Sequence, residues 1–64
     1  MPSTVIHRFD YVPERRELIV TFTTGRVYVY EAVPAQVAES FRSAFAKGRF
    51  FNARIRDRFA CREV

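Results

Sequence analysis

One cysteine and one histidine among 64 residues leave this chain without two of the usual supports of a small fold. Cys61 has no partner for an internal disulfide. With His7 alone it cannot complete a zinc site unless carboxylates or a second chain join in. No apolar run approaches the roughly 18 residues that cross a bilayer, so no membrane is expected as a partner. The opening Met1-Pro2-Ser3-Thr4 lacks a basic stretch followed by an apolar core, and no signal peptide is expected. A lone thiol suits a reducing, cytoplasmic setting. No internal repeat or low-complexity segment occurs. No motif places a Ser, Cys or carboxylate to work with His7, and catalysis needs a nucleophile or an acid–base pair held in mutual reach. The expectation is therefore a non-catalytic chain with no cofactor, no metal and no evident small-molecule substrate.

The length allows a single domain, residues 1–64. A chain this short buries only about 60% of the surface it exposes when unfolded. Its one core supplies roughly 3–5 kcal/mol. Stability must come from very good packing or from self-association. Seven Phe and three Tyr favour packing, because each ring removes a large apolar area from water.

Charge is distributed unevenly. Residues 1–41 carry four arginines against five carboxylates, whereas residues 42–64 carry seven basic side chains against two. The whole net charge of +4 thus arises in the last third. Such asymmetry points to an anionic partner and carries no information about the fold.

Three strands are expected, with short links, as an antiparallel meander. Ile6 to Tyr11 alternates imperfectly, with Phe9 and Tyr11 on one face. Pro13-Glu14-Arg15-Arg16 is turn-like. Glu17 to Thr23 alternates cleanly, and Val27 to Ala32 is rich in β-branched and aromatic residues. The second link decides which faces match. A two-residue Thr24-Gly25 turn would require positive φ at Thr24, which β-branching disfavours. A type I turn closed by Gly25 as a G1 bulge asks that only of glycine. The bulge sets Val20 opposite Tyr28 and Leu18 opposite Tyr30. The core face then carries Phe9, Tyr11, Leu18, Val20, Phe22, Tyr28 and Tyr30, and the reverse face keeps an uncovered strip of Ile19, Thr21 and Val29.

Two helices follow. Pro34 suits the first helical position, where its missing N–H loses nothing. Val37, Phe41, Ala44 and Phe45 recur as an amphipathic stripe. Lys47 falls near the end of that helix, complementing its dipole, and Gly48 is a plausible stop. Phe51, Ile55 and Phe59 repeat at spacing four in a second helix. The order is βββαα, an α+β fold with a three-stranded meander and two helices packed on one sheet face.

These residues together resemble the KTSC domain. The spacing Ile6-x-x-Phe9-x-Tyr11-x-Pro13, then Leu18-x-Val20-x-Phe22-x-x-Gly25, then Tyr28-x-Tyr30-x-x-Val33-Pro34 carries the likeness, and Lys47-Gly48-x-Phe50-Phe51-Asn52-x-x-Ile55-x-x-x-Phe59 extends it. It covers roughly residues 3–62. That family is named for a C-terminal extension of some lysyl-tRNA synthetases and also occurs as stand-alone bacterial and phage proteins. The resemblance implies a domain with no established activity for which RNA binding is suggested. It maps the Tyr-x-Tyr motif onto Tyr28 and Tyr30, and the Gly-x-Phe-Phe-Asn block onto Gly48, Phe51 and Asn52. Val12 stands where an Asp commonly follows the Tyr, and Ala46 where a Ser commonly precedes Lys-Gly. If those polar groups cap a turn and a helix, both caps are missing here. Nothing resembles a synthetase catalytic core.

Several constellations stay open at this level. Tyr28 and Tyr30 could stack unpaired bases, or lie in the core, as the bulged register favours. At about 100° per residue, a continuous second helix groups Lys47, Arg54 and Arg58 on one side and Arg49 and Arg56 on another. These rows could grip a phosphate backbone, with Arg42 and Arg62 widening the patch, or simply form a solvated face whose stems cover apolar edges. Asn52 could read a base or satisfy a nearby backbone group. His7 reads as a strand-edge or packing residue, and Cys61 as a small apolar residue near a fraying end. Two functions follow: a nucleic-acid-binding module, RNA (tRNA-like or other) before DNA, or a protein-interaction module, a homodimer among its forms, using the Ile19/Val29 strip.

Overall fold

Gly25 sets the sheet register as expected. In the computed structural model, which describes residues 6–64, strand β1 (Ile6–Val12) pairs with β2 (Glu17–Phe22), and β2 with β3 (Val27–Tyr30), all antiparallel. The reading of Met1–Thr4 as free of a leader lies outside the described residues. Gly25 adopts φ 95°, its N–H donates to Phe22 O at 2.9 Å, and Phe22 N–H donates to Arg26 O at 2.9 Å. That pair of bonds is the bulge. It places Leu18 opposite Tyr30 and Val20 opposite Tyr28. The first link turns at Pro13–Arg16, with Arg15 N–H donating to Val12 O. His7 sits in the edge strand at a register irregularity, exposed.

The β3–α1 link is locked from outside. Val33 is fully buried, and its N–H donates to Arg16 O while its carbonyl accepts from the Tyr11 hydroxyl at 2.6 Å. Ala32 reaches φ 58° to make that connection, without the freedom of glycine.

Helix α1 (Ala35–Ser43) begins one residue later than expected. Pro34 is its N-cap, in an extended conformation, and not its first helical residue. It offers no side-chain cap, but its carbonyl accepts from Val37 and Ala38 N–H. The helix stops before Ala44, which is extended. Phe45 therefore leaves the predicted apolar stripe and stands fully exposed, while Ala38 takes an unforeseen core position. Gly48 is not the stop. It is the second residue of α2 (Lys47–Arg54). Lys47 performs the terminating role from across the link: its Nζ donates to Arg42 O at 3.0 Å and Ala44 O at 2.6 Å, satisfying carbonyls at the end of α1. Ala46 is the N-cap of α2 and makes no side-chain cap, since its methyl group cannot accept a hydrogen bond.

The second helix is shorter than its sequence period. It ends at Arg54, and residues 55–58 form turns. The cause lies beyond it. Cys61–Glu63 forms a fourth strand, β4, on the open edge of β3, with Tyr28 opposite Glu63 and Tyr30 opposite Cys61. Glu31 N–H donates to Ala60 O and Val64 N–H to Val27 O, extending the pairing. The chain leaves the helix to make these bonds. Cys61 is thus a strand residue, exposed but paired, and not part of a frayed end. The sheet order is β1-β2-β3-β4, with both helices on one face.

An aromatic lattice fills the space between the layers. Phe41 stacks on Phe9 at 4.3 Å between centroids and on Phe50 at 5.6 Å, and Phe51 meets Phe22 and Tyr30 edge to face. Leu18, Val20, Val33 and Ile55 complete a core with no exposed surface. Every residue predicted for the inner sheet face belongs to this cluster or packs against it.

Candidate nucleic-acid interface

The basic residues of the C-terminal third separate into engaged and unpaired groups. Arg62 does not widen a basic patch. It stands opposite Val29 on the reverse face, and its guanidinium bonds Glu31 at 2.8 Å and Glu17 at 3.4 Å, so it crosses β3 to reach β2. Glu31 first, then Glu17, holds it charged. This bridge also narrows the expected reverse-face strip: Val29 is only 5% exposed and Ile19 is half-buried. Arg42 pairs with Glu39 at 3.9 Å and lies 5.8 Å from the Phe9 ring centroid. Lys47 spends its ammonium on α1 carbonyls. Arg49, Arg54, Arg56 and Arg58 are exposed and form no ion pair among the described residues.

The two helical rows expected from the sequence do not form, because the helix ends at Arg54. One of their groupings survives by another route. Arg54, on the last turn of α2, and Arg58, in the turns beyond it, line one cleft of about 460 Å³ together with Phe50 and Phe59. Its opposite wall is α1, through Gln36, Val37 and Ser40. Arg54 lies 5.8 Å from the Phe50 ring centroid, in cation–π range. Among the described residues no carboxylate lines this cleft. Gln36 and Ser40 carried no signal of their own. Their spacing of four on the helix marks them as neighbours on one face, but only the packing of α1 against α2 turns that face toward the arginines.

Arg56 goes elsewhere. It lines a second cleft, of about 410 Å³, with Arg26, Tyr28, Tyr30, Asp57 and Cys61 among its neighbours. Arg26 is held charged first by the Tyr28 hydroxyl and then by Glu63. The two motif tyrosines differ. Tyr30 is 4% exposed with its ring edge-to-face on Phe51, so it offers no face to a base. Tyr28 is half-buried against Phe22. Asn52 lies exposed on α2 and is already engaged within the protein. Gly25 serves the bulge, and Phe51 the core.

Burial pushes the Tyr30 hydroxyl up to about 12, and the neighbouring Cys61 sulfur adds to the effect. In the unfolded chain the phenol ionises near 10. The unfolded state therefore gives up this proton first as pH rises. The stability contributed by the neutral buried phenol is complete below about pH 10 and is lost progressively toward pH 12. Urea midpoints measured from pH 9 to 12 should fall accordingly, and Tyr30→Phe should flatten the fall.

The fold and surface define a small four-stranded α+β module with a basic C-terminal third and an aromatic interior. Among the described residues no helix is long and apolar enough to cross a membrane. The chain belongs to the KTSC domain family, whose model matches residues 2–59. It is 36% identical to a KTSC domain protein from Yersinia pestis of known crystal structure, with a TM-score of 0.88 over 100% of this chain and 93% of that one. An uncharacterized protein from Stutzerimonas stutzeri is 38% identical over 52 residues, which is 81% of this chain and 73% of that protein. A lysine–tRNA ligase from Nostoc punctiforme is 38% identical over 57 residues, 89% of this chain but only 10% of the ligase. The likeness therefore concerns a small segment of that enzyme.

Proposed function

We propose that this domain is a non-catalytic RNA-binding module that holds the phosphate backbone through the unpaired arginines of its C-terminal third. One observation carries this reading. Arg49, Arg54, Arg56 and Arg58 reach solvent without a carboxylate partner among the described residues, while Arg8, Arg26 and Arg42 are each paired with one and Arg62 with two. Arg15 and Arg16 are also without an ion pair, but they lie on the β1–β2 turn, flanked in sequence by Glu14 and Glu17. The likeness to part of a lysine–tRNA ligase supports RNA as the polyanion. The competing reading, a self-association or protein-interaction surface on the reverse face, has less support, because Arg62 bridges two glutamates beside the buried Val29.

The phosphate mechanism makes a quantitative demand. A single strand contacted at two to four phosphates gives a slope of roughly −1.4 to −2.8 in log affinity against log salt. Between 50 and 200 mM salt, affinity should drop roughly 7- to 50-fold. Titration of labelled tRNA and of a short single-stranded RNA at several salt concentrations measures the slope. No binding at 50 mM salt refutes the function, and binding indifferent to salt refutes the phosphate contacts.

A further inference from the structure

We infer that the cleft between α1 and the Arg54–Phe59 segment seats one unpaired nucleotide of a single-stranded RNA, taking its base against the apolar floor and its phosphate on Arg54 and Arg58. This deepens the function proposed above and rests on it. The cleft, at about 460 Å³, is within the range of small-ligand sites, roughly 300–1,000 Å³. Its chemistry is divided as a nucleotide's is. The two arginines supply cationic donors with no competing carboxylate in the lining, and Val37 and Phe59 supply apolar surface. The exposed Gln36 amide and Ser40 hydroxyl, on the α1 wall, can donate to and accept from a base edge.

Arg54 is partly pre-positioned. Phe50 stacks on Phe41 at 5.6 Å with an interplanar angle of 18°, and the Arg54 guanidinium lies 5.8 Å from the centre of that fixed ring. Unpaired bases stack on arginine planes as well as on aromatic rings. A duplex presents phosphates but keeps its base faces stacked inside, so it can use the arginines and not the floor. An acidic peptide likewise satisfies the arginines and leaves the aromatic surface unused. The second cleft is the poorer candidate, since Asp57 lines it and repels a phosphate and the buried Tyr30 ring offers no open face.

The test compares a single-stranded RNA hexamer, a blunt-ended two-strand RNA duplex without a loop, a mononucleotide and poly-glutamate, each titrated against the full chain and two variants at one low salt concentration. Phe59→Leu removes the ring and keeps bulk. Ser40→Leu fills the cleft from an exposed helical position, where folding is undisturbed, and adds no ring of its own. The hexamer should bind at least about tenfold more tightly than the duplex and the mononucleotide, and each variant should lose roughly tenfold for the hexamer with little change for the duplex. Salt-dependent binding that is equal for hexamer and duplex, and blind to both variants, overturns the cleft assignment and leaves the phosphate-binding function standing. A mononucleotide as tight as the hexamer, or poly-glutamate as strong a competitor as RNA, overturns the strand reading. Absence of all RNA binding overturns both.

Discussion

Phe41→Ala should leave the domain largely unfolded at 25 °C. Phe41 is fully buried and is the ring that joins the layers: it stacks on Phe9 of β1 and Phe50 of α2 and lies 6.4 Å from Phe51. Truncating a buried Phe costs about 3–5 kcal/mol, through lost transfer energy and the cavity left behind. That equals roughly the whole stability a domain of this length can hold. Phe51 cannot swing into the gap, because Phe22 and Tyr30 each hold its ring edge to face, and Phe9 and Phe50 lose the ring they stack on. Phe45→Ala, four residues on, is the matched comparison. The sequence places both rings on one helical stripe, but Phe45 is fully exposed, and its loss should stay within about 0.5 kcal/mol. Urea denaturation of the two variants measures both effects. Equal losses would mean that α1 continues through Phe45 and buries it.

Arg54→Glu with Arg58→Glu should weaken binding of single-stranded RNA roughly 100-fold at low salt. Each substitution removes a phosphate contact and places a carboxylate where the phosphate would sit. At about 1.4 kcal/mol per contact, each contributes around tenfold. The salt slope should become shallower by about 1.4, since two counterion-releasing contacts are gone. The control is Arg15→Glu with Arg16→Glu. It lowers the net charge by the same amount but acts on the β1–β2 turn, away from the cleft. That variant should lose only a few-fold affinity and keep its slope. Equal losses in the two double variants would assign binding to total charge and remove any role for the arrangement of the C-terminal arginines. Fluorescence anisotropy with one labelled hexamer settles the comparison, and a thermal melt of each variant checks that both remain folded.

The sheet was readable in the chain because its determinants are local. Strict alternation over Glu17 to Phe22 separates the two faces, and β-branching at Thr24 leaves Gly25 as the residue that takes positive φ. From these alone the pairing of Leu18 with Tyr30 and Val20 with Tyr28 follows, as does the burial of Tyr30. Helix boundaries were not readable in the same way. A spacing of four continues through Phe45 and Phe59, but the periodicity of a stripe does not say where its helix stops. Lys47 ends α1 by reaching back across the link, and β4 draws the chain out of α2 four residues after Phe51. The first event is local, and the basic residue near the end of α1 marks it without giving the last helical residue. The second leaves no local mark, because β4 pairs with a strand about 30 residues earlier in the chain.

The same division governs the candidate site. Composition fixed that the positive charge resides in the last third, since that requires only counting. Which arginines remain unpaired depended on the fold. Arg62 finds Glu17 and Glu31 because a short fourth strand lays it beside them, across separations of 45 and 31 residues. Arg54 and Arg58 share a side by their spacing of four, but they line a cleft only because α1 supplies its other wall. Alternation, turn stereochemistry and residue counts act over a few neighbours, and they determined the first three strands, their buried face and the sign of the surface. The end of α2, the closing strand and the choice of free charges are set by contacts between segments far apart in the chain, and those were decided only when the layers packed.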